Sequence, residues 1–376
     1  MAHSVKDMKS RNYGIDLLKI ICMFLVIAFH YADHGRVPLS ASSPITFNWV
    51  ILAVSRVWGG LCNAVFMLVT GYYLSADKKF SWEKVIRLYL MVYFFTLVTD
   101  GICIAVNHGQ ADAKFIICMI FPLASNKYWY FTTYFLIYFF HRYLNVILDH
   151  ISQKQHFALC ALGIGIFSVF YTLGGIITLP AFESTAFSSW AQTGNSMVIF
   201  LMLYFVGAYL RKYKVKVTNA GVYLVILLAC EVATLFFMVV FARRYHDDSL
   251  IYYFSWGTEK VFPVFTAIFA FLAFKDLKIK GAAVTRAVSF LAPSVFGVYL
   301  FHIGDLRWLI FGQILDNTRI YQGPFMIFHM LMAMVVLFAI GILLDKFRRL
   351  VLERPLTPLI KGVAEGLDQK TAELFP

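Results

Sequence analysis

The sequence predicts an all-α, polytopic integral membrane protein of about ten transmembrane helices, with both termini cytoplasmic. Three observations carry that reading. Hydrophobic residues make up 60% of the 376 and charged residues only 14%, with a mean hydropathy of +0.71; a soluble domain carries about a quarter charged residues. The apolar residues gather in runs close to the roughly 20 residues that cross a hydrocarbon core of about 30 Å. Most of the 33 Lys and Arg residues fall between alternate runs, as the positive-inside bias requires. That bias also accounts for the formal charge of +12. No soluble basic domain is present to hold nucleic acid, so none is expected as a partner.

The first run, 13–32, carries the others' logic. Its uninterrupted apolar part, 20–29, is only about half of what a span needs. To cross, the helix must take Asp16, Lys19 and His30 with it. On a helix advancing about 100° per residue, the step from Lys19 to His30 closes to within about 20° and covers about 16 Å of axis. Asp16 leaves about 40° on the other side, so all three share one stripe. Lipid cannot solvate such a stripe, which must face protein or a watery cavity. The polar head before it (His3, Lys6, Lys9, Arg11) has no small-residue cleavage site after the first apolar run, which reads as an uncleaved first helix.

Nine further spans follow at 49–74, 85–106, 129–148, 156–179, 195–210, 219–242, 258–274, 287–304 and 323–345. The stretch 115–122 is too short to cross. Inner clusters then fall at Lys78, Lys79, Lys84 and Arg87; at Arg211, Lys212, Lys214 and Lys216; at Lys275, Lys278 and Lys280; and at Lys346, Arg348 and Arg349. One membrane domain, 1–349, is followed by a short cytoplasmic tail, 350–376. The outer loops 34–48, 180–194, 243–257 and 305–322 are too short for independent modules. Tyr and Trp gather near span ends as an interfacial belt. The six cysteines form no CxxC pair and sit in or beside apolar runs, so neither disulfide nor metal site is expected.

Polar residues inside apolar spans mark candidate chemistry. Arg56 lies about two turns into the second span, and His302 near the outer end of the ninth. With His30, the predicted topology gathers them in the outer half of the membrane, a set suited to acyl transfer. Glu231, Glu259, Lys260 and His329 are further polar residues in or beside spans, without an assigned role. No GxSxG elbow, P-loop, dinucleotide fingerprint or HExxH helix occurs, and none of the ten histidines has Asp five residues on.

The opening RNYGIDLLKIICMFLVIAFH resembles the first helix of the acyltransferase-3 family of integral-membrane acyltransferases, with its basic residue, ten intervening positions and histidine. The likeness continues in order along almost the whole chain. AVFMLVTGYYLS (64–75), KVIRLYLMVYF (84–94) and YWYFTTYFLIYFF (128–140) are similar to the next family segments. LYFVGAYLRKY (203–213), FGVYLFH (296–302) and LERPL (352–356) are similar to the later ones. The resemblance implies a protein that moves an acyl group, acetyl by default, from cytoplasmic acetyl-CoA or another acyl-CoA. Members of that family deliver it to hydroxyls or amines of extracytoplasmic glycans, lipids or peptides, and the acceptor expected here is a hydroxyl of an extracytoplasmic or lipid-linked glycan. It implies a multi-pass protein of a cell membrane, bacterial cytoplasmic in type, with lipid around it. Lys19 takes the family's basic position and His30 its essential histidine. Lys19 stands where many members have Arg, and Lys84 and Arg87 stand where some have Arg-x-Arg.

The expected mechanism follows from both readings. Lys19, Lys84 and Arg87 neutralise the CoA phosphates at the inner mouth. His30 acts as general base on the acceptor or, alternatively, carries the acyl group. Asp16 partners Lys19, and Arg56 or His302 stabilises the oxyanion. The rival class is a transporter or flippase of a glycan-linked lipid, which would show an internal inverted repeat; none is visible.

Overall fold

In the computed structural model, residues 11–37, 39–77, 79–107, 109, 111–177 and 195–375 are described. The expected polar head at His3, Lys6 and Lys9, the cation Lys78 and the outer loop 180–194 lie outside them. Among the described residues the chain is helical throughout, with no strand. Among those residues, helix covers at least part of each of the ten segments drawn from the sequence. Among the described residues, seven helices are long and apolar enough to cross a membrane.

The first helix, α1 (Tyr13–His34), starts where Asn12 accepts a hydrogen bond from the Ile15 N–H at 3.0 Å. That cap satisfies one of the free donors of the first turn, and Asp16 in the same turn complements the helix dipole. The second segment is not one helix. It comprises α2 (Phe47–Ser55), capped by Thr46, and α3 (Trp58–Leu74), with a break at Arg56 and Val57. Then come α4 (Trp82–Val106), capped by Ser81, and the exposed eight-residue α5 (Ala113–Ile120) on the stretch judged too short to cross. They are followed by α6 (Trp129–His150) and α7 (Gln153–Ile164), and α7 passes through a wide π turn, Gly165–Phe170, into α8 (Tyr171–Ile177). The chain continues with α9 (Asn195–Lys212), α10 (Ala220–Tyr245), α11 (Val261–Lys275), α12 (Ala282–Leu291), α13 (Val295–His302), the single turn α14 (Leu306–Leu309) and α15 (Met326–Arg348). The predicted tail is helical: a π turn, Arg349–Glu353, leads into α16 (Arg354–Lys370). This helix packs along α4, where the Trp82 indole donates to Thr371 Oγ1 at 2.8 Å. Beyond it, Phe375 stacks on Phe80 at 3.8 Å.

The centre of the bundle is α3, which packs on α9, α11 and α1. Contact between apolar helices in lipid depends on close backbone approach, which small residues permit. A Cβ at Gly71 would lie 2.2 Å from Tyr204 O, and one at Gly207 would lie 2.3 Å from Leu68 O. The two glycines therefore set the separation of α3 and α9. Two ionic clusters, each built on a buried pair, tie the ends. Near one end Lys127 bridges Asp100 at 2.7 Å and Asp305 at 2.5 Å. Near the other, Arg348 holds Asp345 at 3.0 Å and Glu353 at 2.8 Å, and Glu353 also takes Arg87 at 3.0 Å. Those pairs fasten α4 to α15 and the start of α16.

Gly71→Val should lower the thermal midpoint of the detergent-solubilised protein, since overpacking a tight contact costs about 1–3 kcal/mol. Gly101→Val, where nothing lies within 4 Å of an added Cβ, should leave it within a degree or two, as surface changes do. Equal midpoints for the two variants would contradict the packing of α3 on α9.

Candidate functional site

A cavity of about 630 Å³ runs beside α1. The residues that α1 contributes to its wall are Lys19, Met23, Val26, Phe29, His30, Asp33 and His34. Steps of three and four between them describe one helix face. Lys19 and His30 of the predicted stripe therefore open into the same space, and Asp16, the third member, sits behind Lys19. The other walls come from α3 (Gly59, Gly60, Asn63, Phe66, Thr70), α6 (Trp129, Tyr130, Tyr134), α13 (Phe296, Tyr299) and the loop before α11.

At the Lys19 end the wall includes Leu88 and Pro293. The Lys19 ammonium is 2.6 Å from Asp16, whose other oxygen takes Arg11 at 2.5 Å. Lys19 keeps a quarter of its side chain exposed. Lys84 and Arg87 are placed elsewhere. Lys84 is half-exposed and paired with Asp77 at 2.5 Å; Arg87 is paired with Glu83 at 2.7 Å and with Glu353. Neither lines the cavity, although Leu88, the neighbour of Arg87, does.

At the other end three imidazoles meet. The His30 ring stacks on His34 at 5.0 Å and meets His302 edge-on at 5.4 Å. His302 is fully buried behind His30. Its Nδ1 donates to Val298 O at 2.6 Å, which fixes the proton there and leaves Nε2 as a lone-pair acceptor. Neither His302 Nε2 nor His30 Nδ1 has a hydrogen-bond partner. A buried polar atom left without a partner costs free energy, a cost a bound group relieves. Arg56, at the break between α2 and α3, reaches Asp33 at 3.5 Å and lies over the Tyr252 ring at 5.6 Å. Tyr252 belongs to the short helix Asp248–Tyr252, and burial pushes its phenol up to about 12. The structure thus brings His30, His302 and Arg56 to one end.

Four residues at that end were not singled out from the sequence. Asp33 and His34 fall just past the last apolar residue of the first run. Arg307 and Trp256 sit in stretches assigned to outer loops. The signal for His34 was present, because His30 and His34 are one turn apart on the same face. Nothing local marks Arg307, whose Nε is buried without a partner. Of the residues without an assigned role, Glu259 lines the cavity and His329 Nδ1 takes the Tyr31 hydroxyl at 2.7 Å. Glu231 is buried with neither oxygen hydrogen-bonded. The arrangement offers a proton acceptor and guanidinium groups at one end and an anion-binding cation at the other. Among the described residues no cluster of His, Cys, Asp or Glu is placed to hold a metal, and all six cysteines are free thiols.

A family model described as an acyltransferase domain matches residues 12–352 of this chain. No curated protein and no solved structure matches it.

If the cavity is open to water, Thr70→Cys in a cysteine-free background should react with a small charged thiosulfonate at least roughly tenfold faster than Thr96→Cys, because access controls thiol reactivity. Thr70 lines the cavity and Thr96 is fully buried. Equal rates would contradict a hydrated path.

Proposed function

The chain belongs to the acyltransferase-3 family and is a membrane acyltransferase, and we propose that it moves an acetyl group from cytoplasmic acetyl-CoA to a hydroxyl of an extracytoplasmic or lipid-linked glycan. The observation that carries this reading is that Lys19 and His30 line one cavity from the same face of α1, separated by about 16 Å of helix axis. That separation is comparable to a pantetheine arm, so a donor held by its phosphates at Lys19 presents its thioester at His30.

In this scheme the protein lies in a cell membrane with ten crossings and both ends in the cytoplasm, in keeping with the inner Lys and Arg clusters. Lys19 supplies positive charge for the CoA phosphates at the cavity mouth, while Arg87 and Lys84, paired with Glu83, Glu353 and Asp77 outside the cavity wall, add only longer-range positive charge. His30 takes the proton from the acceptor hydroxyl as its oxygen attacks the thioester carbonyl carbon. Arg56 stabilises the charge on the carbonyl oxygen in the tetrahedral intermediate. That intermediate collapses with cleavage of the carbon–sulfur bond, and the imidazolium returns its proton to the departing thiolate. The products are an ester and free CoA thiol. His302 backs His30, offering an unpartnered lone pair that can accept the imidazole N–H and orient the ring. Asp33 anchors Arg56.

His30→Ala and His30→Gln should both insert and fold, and both should lose about 10²–10⁴-fold in transfer rate, the usual worth of a general base. Acyl-CoA binding should survive in each. Near-normal transfer by the glutamine variant in purified, reconstituted protein would move the base elsewhere. Lys19→Ala should raise the donor KM more than it lowers kcat, since phosphate contacts act on ground and transition states alike. Lys19→Arg should be mild, because the charge and its reach are kept.

A further inference from the structure

One wall of the cavity has no part in this acyl-transfer scheme. It is the loop 253–260, which contributes Trp256, Gly257 and Glu259. Its place is fixed by close backbone contact: a Cβ at Gly60 would lie 2.6 Å from Gly257 O. Gly257 has φ +105°, a conformation that side chains rarely adopt, and a Cβ there would lie 2.3 Å from Glu259 Oε1. The Glu259 carboxylate is thus folded back over the glycine, on the cavity side. Lys260 does not neutralise it by contact, because its ammonium sits over the rings of Tyr171 and Tyr253 at 4.6 and 4.3 Å.

Trp256 is 46% exposed although it lines the cavity. Its ring meets Phe29 and Tyr252, each at 5.9 Å, and Phe29 meets His30 at 4.9 Å. An exposed aromatic ring beside a carboxylate that has no ion-pair partner among the described residues suits a ligand with one apolar C–H face and a rim of hydroxyl donors. A pyranose ring has that form. An acyl tail would leave the carboxylate unsatisfied, and a phosphate would be repelled by it.

We propose that Trp256 and Glu259 form the acceptor subsite: a pyranose ring stacks on the Trp256 face, donates hydroxyls to the Glu259 carboxylate and turns another hydroxyl toward His30. The last clause rests on the acyl-transfer reading; sugar binding itself does not. Charge-assisted hydrogen bonds are the strong ones, so Glu259 sets which hydroxyl pattern binds, and Trp256 supplies the apolar contact.

The test is saturation-transfer NMR on the full chain in lipid nanodiscs. The probes are methyl β-D-glucopyranoside and methyl N-acetyl-β-D-glucosaminide, with acetyl-CoA binding measured on the same samples. In the parent protein the ring protons of at least one glycoside should receive saturation. Trp256→Ala and Glu259→Gln should each weaken that binding about tenfold or more, the scale of losing a charged hydrogen bond or a stacking face. Trp256→Phe should recover part of it. Acetyl-CoA affinity should stay at the parent value throughout, which certifies each variant's fold. No saturation from the parent, or parent-like sugar binding by Trp256→Ala and Glu259→Gln, would overturn the subsite. Sugar binding that follows this pattern in a protein unable to bind acetyl-CoA would support the subsite and count against the acyl-transfer reading instead.

Discussion

The structure depends on one constraint: α1 carries ionisable groups through an apolar environment and none of them can face lipid. The bundle answers by packing α1 against α3, α11, α13 and α15, with a cavity along the face that bears Lys19 and His30. Asp16 neutralises the cations at one end of the helix through short contacts to Arg11 and Lys19. The imidazoles at the other end are covered by one another and by Phe29 and Phe311. An intramembrane polar stripe is tolerated where it lines a cavity, and here the stripe and the cavity run together.

Two local features shape that space. Gly59 and Gly60 follow the break at Arg56, and each would clash if it carried a Cβ: Gly59 with Phe29 at 2.9 Å, Gly60 with Gly257 O. The start of α3 therefore presses on α1 and on the loop before α11 at once, which places Arg56, His30 and Trp256 around one opening. Had the second segment run as a single straight helix, Arg56 would have lain within its wall rather than at its corner. The Asp33 contact then holds the guanidinium in the opening.

Much of this was legible in the sequence, because helix period and lipid solvation are local rules. The drawn first span, 13–32, became Tyr13–His34, and the common face of Lys19 and His30 follows from the helical repeat alone. The short stretch 115–122 overlaps a helix of only eight residues, Ala113–Ile120. What stayed hidden depends on long-range contact. Asp33 and His34 lay past the apolar edge, where a hydropathy argument stops and the helix does not. Arg307 and Trp256 come to the cavity from segments more than 220 residues away from α1 in sequence. Lys84 and Arg87 read as free inner cations until the fold brought Glu353 to Arg87 and Asp77 to Lys84.

The central claim is that one molecule of donor lies along α1 with its charged end at Lys19 and its reactive end at His30. A cryo-EM structure with a non-hydrolysable thioether analogue of acetyl-CoA tests it most directly. The account predicts density filling the cavity, with phosphates beside Lys19 and the thioether sulfur beside His30. A nucleotide held outside the cavity, with the space between Lys19 and His30 empty, would contradict it.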